Sequence, residues 1–143
     1  MIAARPCFGL YRTKSPAKGG HVEGVTLLSD AETVLLVDDN QLVRSSLAMM
    51  LEDLDFAVVE AETAQEALDI LAAGKIHAAL VDFRLPDMDG VELARRLREL
   101  QPGLRLAMVS GQPIEADVLA QIPGEPVRML LKPFTAKQLD EIF

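Results

Sequence analysis

Val34-Leu35-Leu36-Val37-Asp38-Asp39-Asn40 is an unbroken apolar run that stops abruptly on two acids and an amide. A short run that is apolar at every position suits a strand buried on both faces. Runs of the same kind recur at Phe56–Val59, Ala78–Val81, Leu104–Val109 and Val127–Leu131. Helical spacing fills the gaps between them. Val43, Leu47, Met50, Leu51 and Leu54 form one stripe, and Ala64, Ala67, Leu68, Leu71 and Ala72 form another, with Gly74 as a stop signal. Leu93, Leu97 and Leu100 mark a third helix, ended by Gln101-Pro102-Gly103. A weaker one covers about Ile114–Gln121, bounded by Pro113 and by Pro123-Gly124, and the last starts at the N-cap Thr135 and runs to Phe143.

Strands alternating with helices predict a parallel sheet with right-handed crossovers and helices on both faces. Five such units predict a doubly wound, flavodoxin-like (βα)5 fold of the α/β class with strand order 2-1-3-4-5. In that architecture the ligand site lies beyond the carboxyl ends of the strands, near the first and third.

Composition sets the outer limits. The chain has 143 residues, half of them hydrophobic and a quarter charged, which suits one soluble globular domain. Its single cysteine, Cys7, forms no internal disulfide. No apolar run reaches the roughly 18 residues that span a bilayer, and the basic start lacks an apolar core for a secretory signal. A cytoplasmic location and no membrane partner are therefore expected. Residues 1–30 scatter Gly, Pro, Ser and Lys without periodicity and predict a flexible tail preceding a domain over 31–143. That tail carries four basic and two acidic residues, a net +2; the remaining ten basic and twenty acidic residues give −10, and the sum is −8. An acidic body repels phosphates, so direct nucleic-acid binding is not expected.

The strand ends carry the chemistry. The first ends in Asp38-Asp39-Asn40, the third in Asp82, the fourth in Ser110-Gly111 and the fifth in Lys132-Pro133-Phe134. Taken singly, an Asp pair is a helix N-cap, Asp82 a turn former, Ser110-Gly111 a turn and Lys132 a solvated cation. Taken together they fall on one edge of the sheet. Three carboxylates converging there raise one another's pKa or demand a cation. Mg²⁺ fits that demand, because it is a hard ion that takes one or two carboxylates and accepts phosphate oxygens.

These stretches, with Asp82-Phe83-Arg84-Leu85-Pro86-Asp87-Met88-Asp89-Gly90, resemble the response-regulator receiver family over about residues 33–143. The resemblance implies that Asp82 is the phosphoacceptor and that Asp39 binds Mg²⁺ directly, with Asp38 acting through water. It implies that the Arg84 backbone carbonyl supplies another oxygen to the ion, Asp82 itself being part of the metal site. Ser110 is then the switch hydroxyl and Lys132 the bridge to a phosphoryl oxygen, with a cis bond between Lys132 and Pro133. The implied donor is a histidine kinase or histidine phosphotransfer protein, and a homodimer is compatible with the resemblance. The chain is expected to be a signalling domain that catalyses only its own phosphorylation and dephosphorylation. One position departs from the family: Met129 stands three residues before Lys132, where an aromatic ring is usual. Met lacks the two sharp positions of a ring. The switch is then expected to work through the loop after Ser110 and the helix at Ile114–Gln121.

Rival functions fit less well. A flavin-binding protein of this fold needs a phosphate cradle after the first strand, where Asp38 and Asp39 would repel the ligand. A dehalogenase-type phosphatase needs a second Asp two residues after the first, and Asp38-Asp39-Asn40 lacks that spacing. A receiver-like scaffold without phosphorylation remains as the alternative of a different class. His21 and His77 do not resemble a kinase's phosphodonor histidine.

Overall fold

The structure is a computed structural model and describes residues 31–143. The tail expected over residues 1–30 lies outside the described residues. Five strands, β1 (Thr33–Val37), β2 (Ala57–Ala61), β3 (Ala78–Asp82), β4 (Arg105–Ser110) and β5 (Arg128–Leu131), form one parallel sheet in the order β2-β1-β3-β4-β5. Five helices alternate with them: α1 (Gln41–Asp53), α2 (Ala64–Ala73), α3 (Gly90–Leu100), α4 (Ala116–Leu119) and α5 (Ala136–Ile142). The expected flavodoxin-like topology is the one observed.

Period-two alternation of strand side chains sorts the apolar residues into two layers. Val34 and Leu36 of β1 face Leu47, Ala48 and Leu51 of α1 and Leu139 of α5. Leu35 and Val37 face the other way, with Ala64, Ala67 and Leu71 of α2 and Leu93, Ala94 and Leu97 of α3. Every residue of β1 is buried, which is why its sequence is apolar without a break from Val34 to Val37.

Two elements, β2 and α4, differ most from the sequence reading. β2 begins one residue later and ends two later than its apolar run. Phe56 is left outside the strand, its ring edge-on to that of Phe143 with centroids 6.0 Å apart. The helix expected at Ile114–Gln121 shrinks to α4, which buries none of its own residues and therefore has little to lengthen it.

Close packing fixes two turns. Arg98 of α3 is buried, and its guanidinium donates from Nε to the Leu104 carbonyl at 2.7 Å and from Nη1 to the carbonyls of Pro123 and Glu125, the latter at 2.9 Å. Those bonds tie the α4–β5 loop to α3. Gly124, between the last two acceptors, has φ +95, which favours glycine. Gly90 starts α3 so close to β3 that a Cβ there would lie 2.7 Å from the Phe83 carbonyl oxygen and against that of Asp82 as well.

Candidate functional site

The acids after β1 owe their availability to their neighbour. Asn40, not either Asp, caps α1: its side-chain oxygen accepts from the Val43 amide at 3.1 Å. Asp38 Oδ1 accepts from the Asn40 amide at 2.9 Å, an Asx turn that leaves the other carboxylate oxygen out of the bond. That oxygen, Oδ2, is buried with no hydrogen-bond partner. Its nearest cation is Lys132, whose Nζ lies 4.0 Å away.

Asp39 is exposed and Asp82 half-buried, and each of the three Asp residues offers a carboxylate oxygen within 4.8 Å of the others. Asp82 closes β3, and its Oδ1 lies 3.4 Å from the Arg84 amide. Burial is the main cause that raises the Asp38 pKa, with the charge of Asp39 adding to it. The Asn40 amide, Lys132 and Arg44 oppose the rise. For Asp82 burial again leads, followed by the charge of Asp38, against Lys132 and the Arg84 amide. Both acids would thus be easier to ionise beside an added cation.

This donor set fits Mg²⁺. Oxygen donors at short range, one of them buried and unpartnered, are what a hard divalent ion requires.

Ser110 and Lys132 arrive from neighbouring strands, and the Lys132 amide donates to the Ser110 carbonyl at 2.8 Å. The Lys132-Pro133 bond is cis. Ser110 Oγ is buried and turned onto its own loop. It donates to the Gln112 carbonyl at 2.6 Å and accepts from the Gln112 amide at 3.1 Å. Asp82, Arg84, Ser110 and Lys132 line one open cleft of about 440 Å³, which continues past Gln112 and Pro113. The predicted site residues Asp38, Asp39, Asp82, Arg84, Ser110 and Lys132 therefore lie at one end of the sheet. Met129 is not independent of the loop: its Sδ accepts from the Ile114 amide at 3.3 Å.

Two residues of this region escaped the sequence reading. Asp87, in the loop after Asp82, accepts at Oδ1 from the Ala64 amide and at Oδ2 from the Gln65 amide. Arg44 of α1 donates to the Asp38 main-chain carbonyl. A charge at helical spacing, like Arg44, reads as a solvated face, and an acid in a loop, like Asp87, reads as a turn former, so neither carried a sequence signal beyond its residue type.

The family model described as "Response regulator receiver domain" matches residues 34–143. The sensor kinase CckA of Brucella abortus is 36% identical over 125 residues, which cover 86% of this chain and 13% of CckA. The chain spans less than half the length of that relative. A response regulator receiver domain protein (CheY-like) from Methanospirillum hungatei is 30% identical with a TM-score of 0.70, covering 78% of this chain and 89% of that one. A response regulator protein from Burkholderia pseudomallei, solved with a phosphorylated aspartic acid, calcium ion and citrate, is 28% identical with a TM-score of 0.69, covering 76% of this chain and 64% of that one.

Proposed function

The chain belongs to the response-regulator receiver family, the phosphoryl-accepting signalling domain of two-component systems, and from that premise we propose that Asp82 is its phosphoacceptor. The observation that carries the reading is the convergence of Asp38, Asp39 and Asp82 within 4.8 Å, with Lys132 Nζ 4.0 Å from Asp38.

The donor is a phosphohistidine on a kinase or phosphotransfer protein. An Asp82 carboxylate oxygen attacks phosphorus; the new O–P bond forms as the P–N bond breaks, and the electron pair returns to the imidazole. Asp38, Asp39, Asp82 and the Arg84 carbonyl would hold Mg²⁺, which when bound neutralises charge on the transferring oxygens. Lys132 does the same from the protein side and keeps the buried Asp38 from repelling the incoming phosphoryl group. The cleft beside Asp82 admits the donor, and Gly90 keeps the Asp82 loop pressed onto the sheet. Phosphorylation gives Ser110 a new acceptor. Leaving Gln112 for it breaks both bonds that now hold the turn, so the loop over residues 111–114 is released. The burial of Asp38, with one carboxylate oxygen unpartnered, does not suit a passive scaffold, which has no use for a costly buried acid.

Acetyl phosphate with Mg²⁺ tests the reading. Intact mass spectrometry should show one added phosphoryl group on the protein and none on Asp82→Asn. Equal labelling of the two would overturn the assignment.

A further inference from the structure

We infer that Arg44 is a positioning residue for the acidic pair, acting through the peptide that joins Asp38 to Asp39. The inference rests on the reading of those two acids as metal ligands. Arg44 extends from α1 with its side chain only 13% exposed. Its Nη1 donates to the Asp38 main-chain carbonyl at 2.8 Å, and its Nε donates to Glu60 Oε1 on β2 at 3.1 Å. The guanidinium thus bridges two elements in a fixed fork that a point cation cannot reproduce.

What this fixes follows from the other bonds of Asp38. Its amide donates to the Ala61 carbonyl at 3.2 Å, and its Oδ1 accepts from Asn40. Residue 38 is therefore held at its amide, its side chain and, through Arg44, its carbonyl. The carbonyl sets the plane of the peptide leading into Asp39, and with it the direction in which the exposed Asp39 carboxylate leaves the chain. Arg44 approaches through the main chain rather than a carboxylate, so it orients the acids without occupying the oxygens a metal needs.

The alternative role for Arg44 is a bulk counter-charge, and the two roles predict opposite signs. Removing a positive charge from beside an acidic site strengthens divalent binding. Removing an orienting partner behind the ligands weakens it, by about tenfold or more.

Isothermal titration of the full chain with Mg²⁺ alone separates them, with Asp39→Ala as the control. Mg²⁺ binding by the wild type and its loss in Asp39→Ala sustain the metal reading; no binding by the wild type overturns that reading and this inference with it. Given the control, Arg44→Gln is expected to weaken Mg²⁺ binding about tenfold, and Arg44→Lys, which keeps the charge and loses the fork, to weaken it too. Affinity equal to or tighter than wild type in Arg44→Gln overturns the positioning role and leaves the metal reading standing. If melting shows that Arg44→Gln does not fold, Arg44→Lys decides alone, and unchanged affinity in it overturns the inference.

Discussion

Asp87 lies five residues beyond Asp82, yet its Oδ1 accepts from the Ala64 amide at 2.9 Å, so the loop that follows the candidate phosphoacceptor caps a helix from another part of the chain. Oδ2 takes the next amide, Gln65, and Thr63 takes the third, Glu66. The N-terminal amides of α2 are thereby satisfied, and the negative end faces the positive end of the helix dipole.

Asp87→Ala should therefore lower the melting temperature by a few degrees. The amide bonds from Ala64 and Gln65 hold the Asp87 pKa below its ordinary value. Its contribution to stability is then complete above the ordinary carboxylate value and lost as pH falls through the lowered one. Melting the two proteins across acidic pH should show the gap between them closing at the low end; a constant gap would exclude the linkage.

Asp38 and Asp82 have the opposite sign. Their pKa values are raised chiefly by burial, so the folded state binds protons more tightly than the unfolded chain. Without metal, stability should fall as pH rises from the ordinary carboxylate value through the raised ones. Asp82→Asn should flatten that fall and melt higher than wild type at neutral pH in a chelator. Added Mg²⁺ should stabilise the wild type more than the variant, which thermal melts with and without the ion would show.

Gly90→Ala places a methyl group against the carbonyls of Asp82 and Phe83, which are main chain and cannot swing aside. Destabilisation of about 2 kcal/mol is expected. Displacement of the Asp82 loop should accompany it, read as slower labelling by acetyl phosphate. A variant with wild-type stability and labelling rate would show that α3 can slide at no cost.

Met129→Leu keeps the bulk of residue 129 and removes the sulfur that accepts from Ile114. Hydrogen exchange at the Ile114 amide should speed up in the variant. In wild type the same acceleration should follow beryllofluoride binding if release of the Ser110–Gln112 turn carries residues 111–114 away from β5. An Ile114 amide unchanged in both experiments would leave the signal to some other route.

The central strands were legible because burial on both faces leaves a continuous apolar run, as in Val34–Val37 and Ala78–Val81. The site was legible because its chemistry falls where those runs stop, at Asp38, Asp39, Asp82, Ser110 and Lys132. The edges were harder. β2 carries the polar Glu60, whose partner is Arg44 across an element boundary, and the apolar run over Phe56–Val59 gives no hint of it. α4 is set by its loops rather than by a buried stripe. Asp87 was quoted only as part of a motif, because its partners lie 22 and 23 residues away and only folding brings them together.

The pairing of Arg98 with Gly124 bears on how this chain can drift. A Cβ at residue 124 would sit 2.6 Å from the Arg98 guanidinium and would also need a backbone angle that side chains disfavour. Shortening residue 98 relieves the first conflict and leaves the second, while stranding the carbonyls of Leu104, Pro123 and Glu125. The two positions therefore lack a compensating exchange: neither can change first without loss, and changing both does not restore what either gave. Divergence in the α4–β5 loop should instead enter as insertions or as side-chain changes at Glu125, which Arg98 holds by its main-chain carbonyl.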